Sequence, residues 1–170
     1  MEIDKRFYMS YIENMYNYIS DLKKLYDNKK LIILGSDWNN SKKSTIIESI
    51  ILGIPINTIY MFENINSKLI CIDGNRRLEA IFNYMNNNYV LDDLYIMNKL
   101  NNKKYSQLKG DNEKYLCRIE DCKLHIMKIR YDTDKDFILE IYHRYHNMSK
   151  DNDYYINNII NKYKDEKPMF

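Results

Sequence analysis

Asp73, Gly74, Arg76 and Arg77 are the residues of this chain whose types and spacing are best suited to binding an anion. They follow the apolar run 69–72 and precede a stretch with helical spacing, so a strand, a tight turn and a helix start are expected. Backbone N–H groups and the dipole at a helix start attract phosphate. Glycine allows close backbone approach, and guanidinium groups match phosphate oxygens. This turn predicts a phosphate site; the alternative is an ordinary Asp-Gly turn with solvated arginines.

A second group of polar residues lies at the start of another expected helix, for which Ser41 is the predicted N-cap. Lys42, Lys43 and Ser44 occupy its first turn, where two cations oppose the helix dipole. An anion bound there would offset this unfavourable charge. We therefore expect Lys43 and Ser44 to contact phosphates where the helices that start at Ser41 and Asn75 converge.

Three further side chains could complete such a site. Asp73 could hold Mg²⁺ or position water, or it could simply cap the helix. Glu48 could act as a base for water or orient Arg77, whose alternative role is a structural ion pair with Glu48. Asn147 could hydrogen-bond a base, a ribose or the loop at Asp73.

Hydrophobic spacing predicts an α+β fold, with a small mixed sheet flanked by helices. Apolar residues at helical intervals predict a long N-terminal helix over 4–27. No linker divides the chain, so we expect one domain over 1–170, with an N-terminal helix (1–30), a core (31–131) and C-terminal helices (132–170). The expected strands cover 31–34, 56–62, 68–72 and 123–131; the later helices cover 41–52, 75–86, 136–146 and 153–164; and 89–116 are expected to be loop with a short helix.

Charge and composition restrict the classes of function. The 170 residues carry 26 basic and 24 acidic side chains, a net charge of +2, which counts against sequence-tolerant DNA binding and leaves it as a third, weakly supported alternative. The sequence has neither a signal-peptide pattern nor an apolar run of about 20 residues, so we expect a cytoplasmic protein with no membrane partner. The excess of Ile, Asn, Lys and Tyr is typical of an AT-rich genome.

Three segments together resemble the N-terminal domain of GmrSD-type restriction endonucleases. Residues 38–60 contain a Trp, a Lys/Ser turn, Ile-Glu-Ser, an apolar run, a Pro and a strand. Residues 72–81 contain Asp-Gly-Asn-Arg-Arg-Leu, where the family has Asp-Gly-Gln-Gln-Arg-Leu. Residues 141–149 contain a Tyr-x-Arg stretch followed by Asn. The resemblance spans about residues 31–150.

This resemblance implies a ParB/sulfiredoxin-like fold and nucleotide binding, often with hydrolysis, in DNA restriction and anti-phage systems. The chain departs from the family at Asn75 and Arg76, which replace the Gln-Gln pair. The result, Gly-Asn-Arg-Arg, is similar to the Gly-x-Arg-Arg box with which ParB relatives bind nucleotide phosphates. A Gln-Arg pair that usually precedes the Trp is absent from 33–37. Because the sequence holds no His-Asn-His nuclease motif, we expect a protein partner to supply any nuclease activity.

The sequence thus predicts a nucleoside-triphosphate-binding domain, with or without weak Mg²⁺-dependent hydrolysis, in defence or counter-defence. The alternative is a degenerate, non-catalytic module that binds a protein or a nucleoprotein assembly. The residues expected to act in the first case are Asp73 and Glu48 in catalysis, Asp73 with Mg²⁺, and Gly74, Asn75, Arg76, Arg77, Lys43, Ser44 and Asn147 in nucleotide binding.

Overall fold

A mixed five-stranded sheet forms the centre of the domain. The computed structural model describes residues 12–35, 38–110, 112–146 and 153–164. Its strands are β1 (Ile12–Tyr18), β2 (Leu31–Ile32), β3 (Ile59–Glu63), β4 (Leu69–Asp73) and β5 (Lys123–Ile129). Their order across the sheet is β1-β5-β3-β4-β2. The pairs β1–β5 and β3–β4 are antiparallel, whereas β5–β3 and β4–β2 are parallel.

Helices cover both faces of this sheet, which confirms the α+β prediction. They are α1 (Ile19–Asp27), α2 (Asn40–Leu52), α3 (Asn75–Met85), α4 (Glu113–Glu120), α5 (Lys135–His146) and α6 (Asp153–Tyr163), with two short 3-10 helices at Asn98–Leu100 and Tyr105–Leu108. In the part of the chain that the structure describes, none of the helices has the length and apolarity needed to cross a membrane.

The two faces of the sheet bury two separate apolar cores, because successive side chains of a strand point to opposite faces. Along β3, Ile59 and Met61 join the larger core, whereas Phe62 joins the smaller one. Residues of α1, α2, α3 and α4 fill the larger core, and residues of α5 and α6 fill the smaller one. The N-terminal regions of α2 and α3 therefore belong to the same layer of the fold.

The predicted helix over 4–27 is wrong for residues 12–18, which form β1; residues 4–11 lie outside the described residues. Ile12, Met15 and Ile19 have the spacing of a helical face, but Ile12 packs against the smaller core and Met15 against the larger one. Residues three apart in a strand point to opposite faces, so this spacing also suits a sheet that is covered on both sides. Residues 12–18 form a strand because all seven of them pair with β5.

Helix α2 begins earlier than predicted. The Asn39 side chain, not Ser41, caps it by accepting a hydrogen bond from the Lys42 N–H at 3.0 Å. Gly53 ends the helix, as expected, with a left-handed φ of +75°. Lys42, Lys43 and Ser44 therefore lie in its first turns.

Candidate functional site

The Asp-Gly turn connects β4 to α3 as predicted. Asp73 is the last residue of β4, and Gly74 is the N-cap of α3, whose first residue is Asn75. The Gly74 carbonyl accepts the Leu78 N–H at 3.0 Å, which forms the first turn of the helix. The N–H groups of a first helical turn have no partner within the helix.

Gly74 is required here for a packing reason. Its φ is +99°, and a Cβ at this position would lie 2.9 Å from Cγ1 of Ile59, the first residue of β3. Both facts disfavour a residue with a side chain at this position. The buried glycine thus brings the turn against the neighbouring strand, whereas the sequence suggested only an approach of the backbone to a ligand.

The side chain of Asn75 connects three backbone segments. Its Oδ1 accepts the Leu34 N–H at 2.8 Å, and its Nδ2 donates to the Cys71 carbonyl at 3.2 Å. Asn75 therefore fixes the start of α3 against β4 and against the segment that follows β2. This is a structural use of an amide that was expected to contact nucleotide.

Arg77 is held in place by two partners. Its Nη2 lies 2.7 Å from Oδ2 of Asp73, and its Nη1 donates to the Asn57 carbonyl at 2.6 Å. The Arg77 and Asp73 side chains are 14% and 28% exposed. The position of the guanidinium is therefore set before any ligand arrives. Asn57, whose carbonyl completes this arrangement, carried no signal in the sequence, because any residue can supply a carbonyl.

Arg76 differs from Arg77 in that its side chain is exposed. Within the described part of the chain it forms neither a hydrogen bond nor an ion pair. The first turn of α3 therefore carries one fixed guanidinium and one that is available to solvent.

The Cys71 thiol lies beneath this turn and is fully buried. Burial, and next the negative charge of Asp73, raise its pKa, while Arg77 lowers it. The net shift is upward, and the thiol hydrogen-bonds to the Asp73 carbonyl at 3.1 Å. Cys71 remains protonated and packs as an apolar group.

The polar residues of α2 serve a different segment. Ser44 is fully buried, and its Oγ accepts the Asp92 N–H at 2.9 Å. The Nζ of Lys43 lies 5.9 Å from the centre of the Tyr89 ring. Both residues therefore contact the chain that follows α3.

Glu48 is buried as well, and its Oε1 accepts the N–H groups of Ile96 and Met97 at 2.8 and 2.7 Å. Among the described residues, the partners of Arg77 are Asp73 and Asn57, so the expected contact between Glu48 and Arg77 does not form. Glu48 therefore fixes the backbone at Ile96 and Met97, and Ser44 fixes it at Asp92, so the two side chains together hold the segment 92–97.

The expected convergence of the two helix starts is also absent. Ser44, near the start of α2, contacts the segment after α3, whereas Arg77, at the start of α3, contacts Asn57 in the segment after α2. The two helices therefore run antiparallel, and α2 with its 13 residues is about 20 Å long. The structure brings Asp73, Gly74, Asn75, Arg76 and Arg77 together and leaves Lys43, Ser44 and Glu48 elsewhere. Asn147 lies outside the described residues.

Comparison with known proteins identifies the family of the chain. The family model of the GmrSD restriction endonuclease N-terminal domain matches residues 35–169. No curated protein and no solved structure gives a significant match. The family match includes the β4–α3 turn and covers most of the 170 residues. The chain therefore belongs to the family of GmrSD restriction endonuclease N-terminal domains.

Proposed function

We propose that this domain binds the phosphates of a nucleoside triphosphate at the β4–α3 turn, and that it hydrolyses the bound nucleotide slowly with Mg²⁺. One observation carries the proposal: the first turn of α3 holds Arg77 in a fixed position and presents Arg76 to solvent. Guanidinium groups and N-terminal N–H groups of a helix are both donors that suit phosphate oxygens.

The charge at this turn also favours an anion. Two arginines lie at the positive end of the α3 dipole, and the Asp73 carboxylate next to them balances one of these charges. Counting the described residues of this turn, one cation at an unfavourable end of the dipole remains, and a phosphate group would neutralise it. In this proposal Arg76 and Arg77 contact phosphate, while Gly74 and Asn75 set the geometry of the turn.

Asp73 fits the requirements of Mg²⁺ when nucleotide is present. Mg²⁺ is usually bound in proteins by one or two carboxylates, with phosphate oxygens and water as the remaining ligands. Asp73 supplies a carboxylate at the end of β4, next to the turn that would hold the phosphates. The ion would neutralise developing charge on the phosphates, and the protein would contribute mainly positioning.

Glu48, Ser44 and Lys43 are not part of the proposed site. The Glu48 and Ser44 oxygens already accept backbone N–H groups. Lys43 lies against Tyr89 near the N-terminal end of α2, whereas the β4–α3 turn lies near the C-terminal end of that helix. We expect the hydrolysis to be slow, because Asp73 is used for Mg²⁺ and for the ion pair with Arg77, and Glu48 is engaged with backbone N–H groups.

A thermal-shift screen tests the proposal. The purified protein is heated with ATP, GTP, CTP or UTP, each with and without Mg²⁺. A ligand present at about 100 times its dissociation constant stabilises the folded state by about 2.7 kcal/mol, which raises Tm by several degrees. A rise with at least one nucleotide is expected. If Tm stays constant with all four at millimolar concentration, the nucleotide proposal is wrong.

Protein binding is the second candidate function, and the 92–97 segment favours it. Tyr95 is 91% exposed and Ile96 is 60% exposed, although buried Ser44 and Glu48 fix the backbone on both sides of them. A backbone that is already fixed reduces the conformational entropy that this segment loses on binding, and tyrosine is frequent among the residues that dominate binding energy. Copurifying proteins that Tyr95→Ser loses and Tyr131→Ser retains would support this function, and equal retention would argue against it.

A further inference from the structure

Part of the smaller-core face of the sheet is open to solvent. Ile129, at one end of β5, belongs to the core that α5 and α6 cover. His125, four residues earlier, points to the same face, because the side chains of a strand alternate. Its partner in β1, Tyr16, is 68% exposed, and Tyr18, two residues on, is 41% exposed. The two tyrosines therefore lie on a part of this face that the described helices leave uncovered.

Hydrogen bonds hold the imidazole on which Tyr16 rests. Oγ1 of Thr58 lies 2.9 Å from Nδ1 of His125, and Oδ1 of Asn14 lies 3.0 Å from its Nε2. The rings of Tyr16 and His125 are stacked, with centres 4.8 Å apart and planes that differ by 22°. His125 thus supports one side of the tyrosine ring, and the exposed remainder of the ring is available for a further stacking contact.

The charges around the two tyrosines favour an anionic partner. Nζ of Lys123 lies 4.8 Å from the centre of the Tyr18 ring. Glu13, the one acidic residue of β1, points to the opposite face of the sheet, where its carboxylate lies 2.8 Å from Nζ of Lys128. Strand β5 contains no acidic residue. Within β1 and β5, the open face therefore carries aromatic rings and a cation but no carboxylate.

We propose that this face binds single-stranded DNA, with bases stacked on Tyr16 and Tyr18 and a phosphate beside Lys123. Residues two apart in a strand are about 7 Å apart, which leaves room for one base on each ring. Aromatic side chains on a sheet commonly stack on the unpaired bases of single strands, and this contact accepts every base. The Thr58 hydroxyl and both His125 nitrogens already have partners, so they are not available to a 2′-hydroxyl, the group that distinguishes RNA.

Fluorescence anisotropy with a labelled oligothymidylate of about 12 nucleotides, a length typical of single-strand binding sites, tests the inference. Tyr16→Leu is expected to weaken binding about tenfold, the size of one stacking contact, whereas Tyr16→Phe keeps the ring and retains affinity. Tyr131→Leu is the matched control, since Tyr131 is 52% exposed but lies beyond the other end of β5. Melting curves of the free variants establish that each one is folded.

The salt dependence of binding separates stacking from charge. With one lysine beside the tyrosines, the slope of log affinity against log salt concentration should be about −0.7, the value for a single phosphate contact to a single strand. Lys123→Gln should remove most of this slope. Such a shallow dependence suits a chain whose net charge is only +2.

Three results would overturn the inference. The first is that the wild type binds no oligothymidylate at low salt. The second is that Tyr16→Leu and Tyr131→Leu bind it with equal affinity. The third is that a duplex of the same length, or oligouridylate, binds more tightly than oligothymidylate. The test uses no nucleoside triphosphate, and this face lies on the other side of the sheet from α3, so its outcome is independent of the proposed phosphate site.

Discussion

The polar side chains of α2 and those at the start of α3 lie in the same layer of the fold but use their hydrogen-bonding groups differently. Ser44 and Glu48 are buried, and their oxygens accept N–H groups of residues 92, 96 and 97. At the start of α3, Arg77 is partly buried and paired, whereas Arg76 points into solvent. The first group stabilises a loop, and the second leaves a cation available for a ligand.

This difference shows how burial separates structural from ligand-binding polar residues. A buried carboxylate must have partners, since an unpaired buried charge is strongly unfavourable. Glu48 finds its partners in the backbone of its own domain, so it needs no ligand. Arg76 needs no partner, because water solvates it until an anion binds.

Replacing Glu48 should have the largest effect on stability. Glu48→Ala removes the acceptor for two partly buried N–H groups, and a hydrogen bond to a charged group contributes about 1.5 kcal/mol or more. We expect the free energy of unfolding to fall by about 3 kcal/mol, measured by urea denaturation. Glu48→Gln keeps an oxygen acceptor in the same place and should cost about 1 kcal/mol. Equal stability of wild type and Glu48→Ala would show that the carboxylate does not stabilise this loop.

Gly74→Ala should have the second-largest effect on the free energy of unfolding. It forces a left-handed φ on a residue with a Cβ and brings that Cβ to 2.9 Å from Ile59. We expect a loss of about 2 kcal/mol from the combined strain. Gly53→Ala is the matched control, since Gly53 also has a positive φ but a Cβ there would meet no atom of the described residues within 4 Å. In denaturation curves, Gly53→Ala should lose about 1 kcal/mol of unfolding free energy. A larger loss for Gly53→Ala than for Gly74→Ala would contradict the close contact with Ile59.

Replacing either arginine should change the free energy of unfolding by a smaller amount, and the two changes should differ. Arg77→Ala loses an ion pair and a hydrogen bond to the Asn57 carbonyl, which together should lower the free energy of unfolding by about 1 kcal/mol. Arg76→Ala removes an exposed side chain and should change it by less than about 0.5 kcal/mol. Thermal melting in the absence of ligand measures both. A larger loss for Arg76→Ala would mean that Arg76 has a structural role.

Local patterns predicted much of the fold. The Asp-Gly turn, the start of α3 at Asn75 and the end of α2 at Gly53 follow from the conformational preferences of single residues, which act over a few positions. Strand β5 follows from its alternating pattern. These features need no knowledge of distant partners.

Long-range pairing explains what the sequence could not predict. The N–H groups bound by Ser44 and Glu48 are 48 or 49 residues away in the chain, so nothing near either residue shows that it is buried and paired. Residues 12–18 have helical spacing but pair with β5, more than 100 positions later. Only this pairing places Tyr16 beside His125.

The measurement that tests the central claim most directly compares Arg76→Ala with Lys43→Ala in tripolyphosphate binding, by calorimetry with Mg²⁺. Each variant removes one cation from the first turns of a helix, α3 or α2. We predict that Arg76→Ala weakens binding about tenfold, as expected for the loss of a charge-assisted hydrogen bond, and that Lys43→Ala binds as wild type does. Weakened binding by Lys43→Ala together with unchanged binding by Arg76→Ala would contradict the account and place the anion at α2.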